Sequence, residues 1–367
     1  MDNKPRLIIS NVKISKAFGG EELFSKIITE ELSNAFEVTY IGRPFDIQCG
    51  NKVYPFTNFL DKFPIKKGLG KLMKKFPFLI RLFIKNLNLD CDVLISNSNY
   101  DDLLIHNNHI HYKAAIFVKH DPYETYDKKY PDSLIKNKKY IIFALNYEDR
   151  DLLKKGYGNN VKILKIGIRP SKDKKILPPK DIDFYRDKSI VFSIGRLNEK
   201  QKRFSLGIES FSILAKKYKN LIYVIAGTGP DLDNYSRLAK NLGIEENVRF
   251  LGFISDEEKN WFLRNSKVVL QTSEKENQSA VIIEALNNGA ITLSTKNASS
   301  EFLIKDNFNG FLTSSKKEDI SKSLENILKL DKKDLDIISR NAIASVKDFT
   351  IDKMIAEITE SIKSLLS

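Results

Sequence analysis

Short apolar runs alternate along the first half of the chain with segments whose apolar residues recur every three or four positions. The segment Arg6–Val12 has the composition of a buried strand, and Val38–Gly42 resembles it. Between them, after Gly19 and Gly20, the spacing in Glu21–Phe36 predicts an amphipathic helix. The pattern continues with strands predicted at Asp92–Ser96, Ala114–His120, Ile141–Leu145 and Lys162–Ile166, the last preceded by a helix near Glu148–Lys155. Strands and helices in alternation predict a parallel sheet covered on both faces.

The second half repeats this alternation. Strands are predicted at Ser189–Ile194, Leu221–Ala226, Val248–Leu251, Val268–Thr272 and Ile291–Thr295. Helices are predicted at Ser205–Lys217, Leu232–Leu242, Glu257–Asn265, Val281–Asn287 and Asp352–Leu366. The sequence therefore predicts an α/β protein with two Rossmann-like, doubly wound domains facing across a cleft, where ligands of such sheets bind.

A polar segment with several prolines, Arg169–Arg186, separates the two halves and is the best candidate for a linker. We expect a first domain at 1–170, a linker at 171–187 and a second domain at 188–348. Residues 349–367 are expected to form a helix that packs back toward the first domain.

The net charge of +13 favours an anionic partner, which could be nucleic acid, an acidic membrane surface or a phosphate-bearing substrate. The chain shows no nucleic-acid-binding module, so we expect no nucleic-acid partner. Four histidines and two cysteines show no metal-ligand spacing, and no apolar run is long enough to span a bilayer. The first residues lack an apolar leader with a cleavage site, which favours a cytoplasmic protein.

One segment, Lys66–Lys85, carries cations and large apolar residues without any acidic residue. Its cations are Lys66, Lys67, Lys71, Lys74, Lys75, Arg81 and Lys85. This mixture suits peripheral contact with an anionic membrane at its inner face. It equally suits a helix packed on the first domain with a solvated basic edge.

Cations follow the first strand of the second half. Gly195 and Arg196 end that strand, and Lys202 comes six residues after Arg196. The planar guanidinium of arginine and the ammonium of lysine suit a diphosphate, although both could be ordinary surface cations. A glycine-rich turn at Gly227–Gly229 follows the next strand and would let the backbone approach a ligand.

Two glutamates, Glu276 and Glu284, stand eight positions apart. Glu276 falls in a loop after a strand, where its carboxylate could reach a sugar hydroxyl, and Glu284 falls in a helix that starts near Ser279. The N–H groups at that helix start would bind phosphate, and Glu284 could accept from ribose hydroxyls. A glutamate pair at this spacing also arises by chance on a surface.

The ordered motifs resemble retaining glycosyltransferases of family 4, among the group 1 glycosyl transferases. The resemblance rests on Gly195-Arg196-Leu197 with Lys202, the Gly227 turn, Val248–Gly252, the glutamate pair, and Asn309-Gly310-Phe311. It extends more loosely into the first half through Gly19-Gly20 and His120-Asp121.

This resemblance implies a GT-B fold and a metal-independent, retaining hexosyltransferase, with a nucleotide-sugar donor as co-substrate and no cofactor. UDP is the favoured nucleotide, with GDP as the alternative, and the acceptor would be a saccharide or a lipid-linked molecule in glycan, polysaccharide or glycolipid biosynthesis. Arg196 and Lys202 would hold the diphosphate, Glu276 would face the sugar, and His120 would contact it. Phe253 and Ile254 would lie near the base, and Glu284 would bind the ribose. The other implied positions for the donor are Gly195, Gly227, Ser279, Ala280 and Val281, and Gly19 and Gly20 would form the loop over the phosphates and acceptor.

The chain departs from the family pattern at two places. Gln278 and Ser279 stand where an aromatic residue and a glycine are usual, and Ser299-Ser300-Glu301 stands where a Gly-Pro-like turn is usual. The sugar identity therefore stays open. Asp231, one of several scattered Asp-x-Asp positions, is expected to start a helix instead of binding a metal.

The expected mechanism is front-face transfer, in which the leaving diphosphate takes the proton of the acceptor hydroxyl while cations and N–H groups stabilise its charge. The main alternative is a catalytically silent GT-B partner subunit. A nucleotide-sugar epimerase and a basic nucleic-acid-binding protein are less favoured interpretations.

Overall fold

The structure, a computed structural model, describes residues 4–11, 20–42, 52–55, 89–97, 110–120, 138–169 and 175–367, with only the backbone described at 52–55. The chain divides into two compact units. Unit 1 comprises Met1–Lys165 and Asp352–Ser367, and unit 2 comprises Ile166–Ile351. Unit 2 is thus a continuous piece of chain, whereas unit 1 is made from residues on both sides of it.

The described residues of unit 1 form a seven-stranded sheet in which every pairing is parallel. Its strands are β1 (Arg6–Asn11), β2 (Glu37–Gly42), β3 (Lys52–Pro55), β4 (Leu89–Ser96), β5 (Ile110–Val118), β6 (Lys139–Ala144) and β7 (Val161–Ile163). The spatial order is β3-β2-β1-β4-β5-β6-β7. Successive strands are added toward one edge from β1 to β3 and toward the other edge from β4 to β7. The topological switch point, where ligands bind in such sheets, therefore lies between β1 and β4.

Unit 2 contains a six-stranded parallel sheet of the same kind. Its strands are β8 (Ser189–Ile194), β9 (Leu221–Ala226), β10 (Val248–Gly252), β11 (Val268–Gln271), β12 (Thr292–Thr295) and β13 (Phe311–Thr313). The order is β10-β9-β8-β11-β12-β13, which places the switch point between β8 and β11. All six residues of β9 are buried, as expected for a strand covered on both faces.

Helices connect these strands. In the described residues they are α1 (Gly20–Leu32), α2 (Tyr147–Tyr157), α3 (Ile182–Tyr185), α4 (Glu199–Lys202), α5 (Phe204–Ala215), α6 (Leu232–Asn241), α7 (Asp256–Asn265), α8 (Ala280–Asn287), α9 (Ala298–Leu303), α10 (Lys317–Lys329), α11 (Lys332–Ser345) and α12 (Ile351–Leu366). Single turns of 3₁₀ helix lie at Gly158–Asn160 and Glu245–Asn247.

The core of unit 2 lies on both sides of its sheet. One cluster packs α5 and α10 against the sheet through Phe211, Tyr223 and Leu324. The other packs α7 against the opposite face, where the rings of Phe192 and Phe262 stack with centroids 5.0 Å apart. Both layers leave the carboxyl ends of the strands to carry polar residues.

The chain passes between the units after Lys165 and after Ile351, whereas the sequence predicted boundaries near 170, 187 and 348. Part of the predicted linker is structured within unit 2, because α3 places the ring of Tyr185 in the core, with 3% exposure. The strand predicted at Lys162–Ile166 is shorter, since its pairing with β6 ends at Ile163.

The α12 helix, predicted at Asp352–Leu366, falls in unit 1 from Asp352 onward. It buries an apolar stripe that includes Met354, Ile358 and Ile362. Glu357 of the same helix lies 3.9 Å from the ammonium of Lys162 in unit 1.

Candidate functional site

The loops after three neighbouring strands of unit 2 are hydrogen-bonded to one another. Gly195, after β8, donates its N–H to the carbonyl of Ala226 at 3.1 Å, and Gly227, after β9, donates to the carbonyl of Gly252 at 2.7 Å. The carboxyl ends of β8, β9 and β10 therefore form one continuous edge. The glycine-rich positions singled out in the sequence lie along it.

Gly227 is required at this edge for a specific reason. Its φ is +124°, and a Cβ there would lie 1.9 Å from the carbonyl oxygen of Gly195. Gly229 is similarly confined, since a Cβ would lie 2.2 Å from the carbonyl oxygen of Leu197. The turn thus serves close backbone packing between loops in this structure.

Lys202 and Glu276, which the sequence separates by 74 positions, form an ion pair. Their side chains are only 13% and 12% exposed. A Cβ on Gly195 would lie 3.5 Å from Cε of Lys202, so the strand-end glycine, the cation and the carboxylate meet at one spot. A diphosphate bound by Lys202 would have its attached sugar within reach of the Glu276 carboxylate.

Arg203 holds the backbone that carries Lys202. Its φ of 48° lies in the left-handed region, which is uncommon outside glycine. Its guanidinium donates to the carbonyl of Thr272 at 3.1 Å and to Oγ of Ser315 at 3.1 Å, and it pairs with Glu274. The Thr272 hydroxyl donates in turn to the carbonyl of Lys202 at 3.0 Å. Sequence reasoning missed this residue, because nothing but its position beside Lys202 marks it.

Asp231 is the N-cap residue of α6, where a helix start was expected, but its carboxylate is used at another helix. It stands before α6, but its carboxylate does not cap that helix. Instead it accepts from the N–H of Glu199, the first residue of α4, at 2.9 Å. Asp231 therefore caps the short helix that ends at Lys202, and it is held there by an amide hydrogen bond from Asn234 at 3.1 Å.

The start of α8 offers free backbone donors. Ser279 is the N-cap, and its hydroxyl accepts from the N–H of Ile282 at 3.4 Å. The N–H of Ser279 itself is taken by Oγ of Ser299 at 2.7 Å. No hydrogen bond recorded among the described residues uses the N–H of Ala280 or Val281. These two groups, at the positive end of the helix dipole, suit an anion.

Glu284, on the second turn of α8, accepts from the ammonium of Lys259 on α7 at 3.0 Å. Lys259 also pairs with Asp256 at 2.8 Å. Burial disfavours the charged ammonium, but the two carboxylates outweigh it and hold the pKa of Lys259 above its ordinary value. Lys259 had no sequence signal, because its partner lies 25 positions away on another helix.

The remaining predicted donor residues differ in exposure. The side chain of Phe253 is 88% exposed just after β10, where Gly252 has a φ of +67°. Ile254 is partly buried against the core.

Arg196 is exposed, and its guanidinium makes no ion pair or hydrogen bond with the described residues. The structure therefore brings Lys202 and Glu276 together but does not place Arg196 in that pair.

The predicted residues of the first half lie in unit 1. His120 follows β5, and its ring packs edge-on against Phe24 of α1 with centroids 4.9 Å apart. Gly20 is the first residue of α1, and Gly19 lies outside the described residues. The roles of all three remain predictions.

A buried polar cluster in unit 1 was not predicted. At the carboxyl ends of β1 and β4, the amides of Asn11 and Asn97 donate to the hydroxyl of Ser25 at 2.7 Å and 3.2 Å. Asn11 is 2% exposed, yet its amide oxygen accepts no hydrogen bond from the described residues. Polar groups at this switch point suit a ligand with hydroxyl donors.

Metal and membrane features concern only the described residues. These residues contain no group of three or more histidine, cysteine, aspartate or glutamate side chains placed to hold a metal ion. No helix among them combines the length and the apolar character that crossing a bilayer requires. The basic segment 66–85 lies outside the described residues.

Comparison with known proteins agrees with this geometry. Residues 177–344 match the family described as glycosyl transferases group 1. An uncharacterized glycosyltransferase of Haemophilus influenzae is 23% identical over 363 residues, which cover 94% of this chain and 96% of that protein. The lipopolysaccharide core biosynthesis glycosyltransferase LpsE of Rhizobium meliloti is 31% identical over 131 residues, 36% of each chain.

The crystal structure of Anabaena Alr3699/HepE in complex with UDP-glucose is similar with a TM-score of 0.75 at 18% identity, over 98% of this chain and 100% of that one. At this identity the similarity bears on the fold, and it confirms the predicted GT-B fold. The matched range 177–344 also contains the Lys202–Glu276 pair and the start of α8. The segment 177–344, which makes up most of unit 2, therefore matches the group 1 glycosyl transferases.

Proposed function

We propose that the protein transfers a hexose from a nucleotide-diphosphate sugar to a saccharide or lipid-linked acceptor, with retention of the anomeric configuration and without a metal ion. UDP is the proposed nucleotide, and polysaccharide, lipopolysaccharide or other glycolipid assembly is the proposed process. The observation that carries the proposal is the Lys202–Glu276 pair beside Gly195. The names of the similar proteins, which include a lipopolysaccharide core enzyme and a UDP-glucose complex, agree with it.

In this proposal the cations and helix N–H groups act on the leaving diphosphate. As the glycosidic bond breaks, negative charge grows on the phosphate oxygen that leaves. Lys202, Arg196 and the N–H groups of Ala280 and Val281 stabilise that charge, which fixed donors do well in a site that excludes water. The acceptor hydroxyl attacks from the same face, and the leaving phosphate oxygen takes its proton.

The carboxylates and the first unit orient the two substrates. Glu276 accepts hydrogen bonds from sugar hydroxyls, and Glu284 accepts them from the ribose. Phe253 presents an exposed ring to the base, which supports a stacking role. His120 and the loop at Gly19 and Gly20 are proposed to act on the sugar and the acceptor.

Contact of segment 66–85 with an anionic membrane is a separate part of the proposal. Its support is the run of cations without an acid. Such contact would bring a cytoplasmic enzyme to a lipid-linked acceptor at the inner face. Binding to anionic vesicles that weakens steeply with salt, and that neutral vesicles do not reproduce, is the expected result.

The test of the donor site compares Lys202→Ala with Lys200→Ala in the same short helix. Lys200 is exposed and makes no ion pair with the described residues, so it serves as a matched control. We expect UDP-sugars to raise the unfolding temperature of wild-type protein by mass action. Lys202→Ala should lower sugar transfer by about 10²–10³-fold, as the loss of a charge-stabilising donor does, and Lys200→Ala should leave it unchanged.

The configuration of the product and the effect of chelation test retention and metal independence. NMR of the product should show the anomeric configuration of the donor, and chelation of divalent metal should leave turnover unchanged. Inversion or metal dependence would contradict those parts of the proposal. Protein that binds UDP-sugars but neither transfers nor hydrolyses them would instead be the silent partner subunit.

A further inference from the structure

The loop between Glu276 and α8 is attached to a distant segment of unit 2. The side-chain oxygen Oε1 of Gln278 accepts a hydrogen bond from the backbone N–H of Ile166 at 2.5 Å. The two residues are 112 positions apart, and Gln278 is only 9% exposed. A buried hydrogen bond between a loop side chain and a distant main chain restricts the loop to one path, since breaking it leaves a desolvated N–H.

Ile166 belongs to the crossover segment, which we define as residues 166–168. The chain enters unit 2 at Ile166 and leaves it after Ile351. Ile168 donates its N–H to the carbonyl of Phe349 at 2.9 Å and forms a parallel bridge with Thr350. The crossover segment is therefore joined to residues 349–350 by backbone hydrogen bonding, and both chain crossings are held together.

Gly167 makes this fastening possible. A Cβ there would lie 2.5 Å from the Cα of Ile351, so a side chain at this position would push the two passages apart. The crossover segment is thus rigidly seated, and it offers Gln278 a fixed N–H donor. A fixed donor is what a positioning contact needs.

Gln278 stands between the proposed sugar-facing carboxylate and the helix start. Glu276 precedes it by two residues, and the N-cap Ser279 follows it directly. Any shift of Gln278 moves the carboxylate of Glu276 and the N–H groups of Ala280 and Val281 together. A displacement of about 1 Å in such groups is enough to lower a rate by about 100-fold.

We propose that Gln278 is a positioning residue that sets the donor loop 276–279 through its hydrogen bond to the crossover segment. It does so where an aromatic residue is usual in the resembling family. This inference rests on the proposed function, because it concerns the loop of the proposed donor site. It also implies that ligand binding at the donor loop slows hydrogen exchange of the Ile166 N–H.

The experiment compares Gln278→Met, which keeps the length but removes the acceptor oxygen, with Gln278→Glu, which keeps it. Hydrogen exchange at the peptide containing Ile166 is followed with and without UDP, and UDP binding is followed by the fluorescence of Trp261, the one tryptophan of the chain. Donor KM and kcat are measured separately with the UDP-sugar that wild type uses.

We expect UDP to slow exchange at Ile166 in wild type and in Gln278→Glu but not in Gln278→Met. We expect Gln278→Met to lower kcat at least 10-fold while its thermal unfolding stays cooperative, and Gln278→Glu to recover most of that loss. Turnover of Gln278→Met equal to wild type, or exchange at Ile166 that UDP slows equally in all three proteins, would overturn the inference. Absence of transfer by wild type would instead overturn the proposed function, and the exchange data would still decide the role of Gln278.

Discussion

The ammonium of Lys259 lies 3.0 Å from Oε1 of Glu284, and it joins α7 to α8 at the edge of the candidate donor site. Glu284 is held by the lysine, and its side chain is still 18% exposed. In the proposed function, a carboxylate fixed in this way would lose less freedom on accepting from a ribose hydroxyl. Lys259 would then act by holding Glu284 in position.

The Lys259→Met variant tests this role. Methionine fills the same space without the charge, so we expect donor KM to rise about 5–10-fold, as the loss of one charge-assisted hydrogen bond does, with kcat nearly unchanged. Lys240→Met on α6, an exposed lysine with no ion pair among the described residues, is the control. An unchanged KM in Lys259→Met would exclude a part for the pair in donor binding.

The same pair predicts a dependence of stability on pH. The pKa of Lys259 is raised in the folded protein, so its contribution to the free energy of unfolding is full below the ordinary lysine pKa of about 10.4. It is lost only as the pH rises through the raised value. Urea unfolding should therefore show the same difference between wild type and Lys259→Met at neutral pH and at mildly alkaline pH. A difference that shrinks in that range would contradict the raised pKa.

Gly227 should tolerate no side chain. In Gly227→Ala the Cβ would displace the carbonyl of Gly195, and the backbone would keep a φ of +124°. We expect a loss of unfolding free energy of about 3 kcal/mol or more, and loss of UDP binding because the edge of β8 shifts. Gly243→Ala is the control, since its φ is +66° but no atom lies within 4 Å of the added Cβ. That variant should cost about 1 kcal/mol and bind UDP normally.

Two variants of Arg203 separate the effect of its left-handed backbone from the effect of its guanidinium contacts. Arg203→Ala loses the guanidinium and keeps the left-handed φ of 48°, whereas Arg203→Gly loses the guanidinium and relieves that strain. We expect Arg203→Gly to be more stable than Arg203→Ala by about 1 kcal/mol. Both should lose turnover to a similar extent, since neither holds Thr272 and Lys202 in place. Full turnover in Arg203→Gly would show that the guanidinium is dispensable.

Cys91 in β4 should be inert. Burial raises the pKa of its thiol to about 12, and the residue is 4% exposed. In a Cys49→Ser variant, which leaves Cys91 as the only thiol, a disulfide reagent at pH 8 should react only after denaturation. Fast reaction in the folded state would mean that β4 opens.

Elements with a strong local pattern could be predicted from the sequence, and contacts between distant residues could not. The apolar runs Ser189–Ile194 and Leu221–Ala226 match β8 and β9 residue for residue, because buried parallel strands leave an unbroken apolar signature. The helices α10 and α11 were not predicted, although Leu324 and Ile327 of α10 pack in the core. The third sheet strand of unit 1 was also missed.

The site shows the same division. Lys202 and Glu276 lie in motifs that mark them in the sequence, and the structure pairs them. Lys259 and Gln278 carry no local signal, because folding alone brings their hydrogen-bond partners, Glu284 and Ile166, close to them. Asp231 stands at the start of α6, as the sequence predicted, but its carboxylate accepts from the N–H of Glu199 in α4, a contact through space that no local pattern reveals.

The arrangement of the chain, in which residues 166–351 interrupt unit 1, has a consequence for the order of assembly. As a ribosome produces the chain, the second unit has all six of its strands before the first receives α12. A fragment limited to 166–351 contains its whole sheet and should fold autonomously, whereas a fragment ending at Lys165 lacks the helix that buries Met354, Ile358 and Ile362. Unit 2 is therefore the unit to transplant between related enzymes as one continuous segment. Unit 1 can be exchanged only if Met1–Lys165 and Asp352–Ser367 are replaced together.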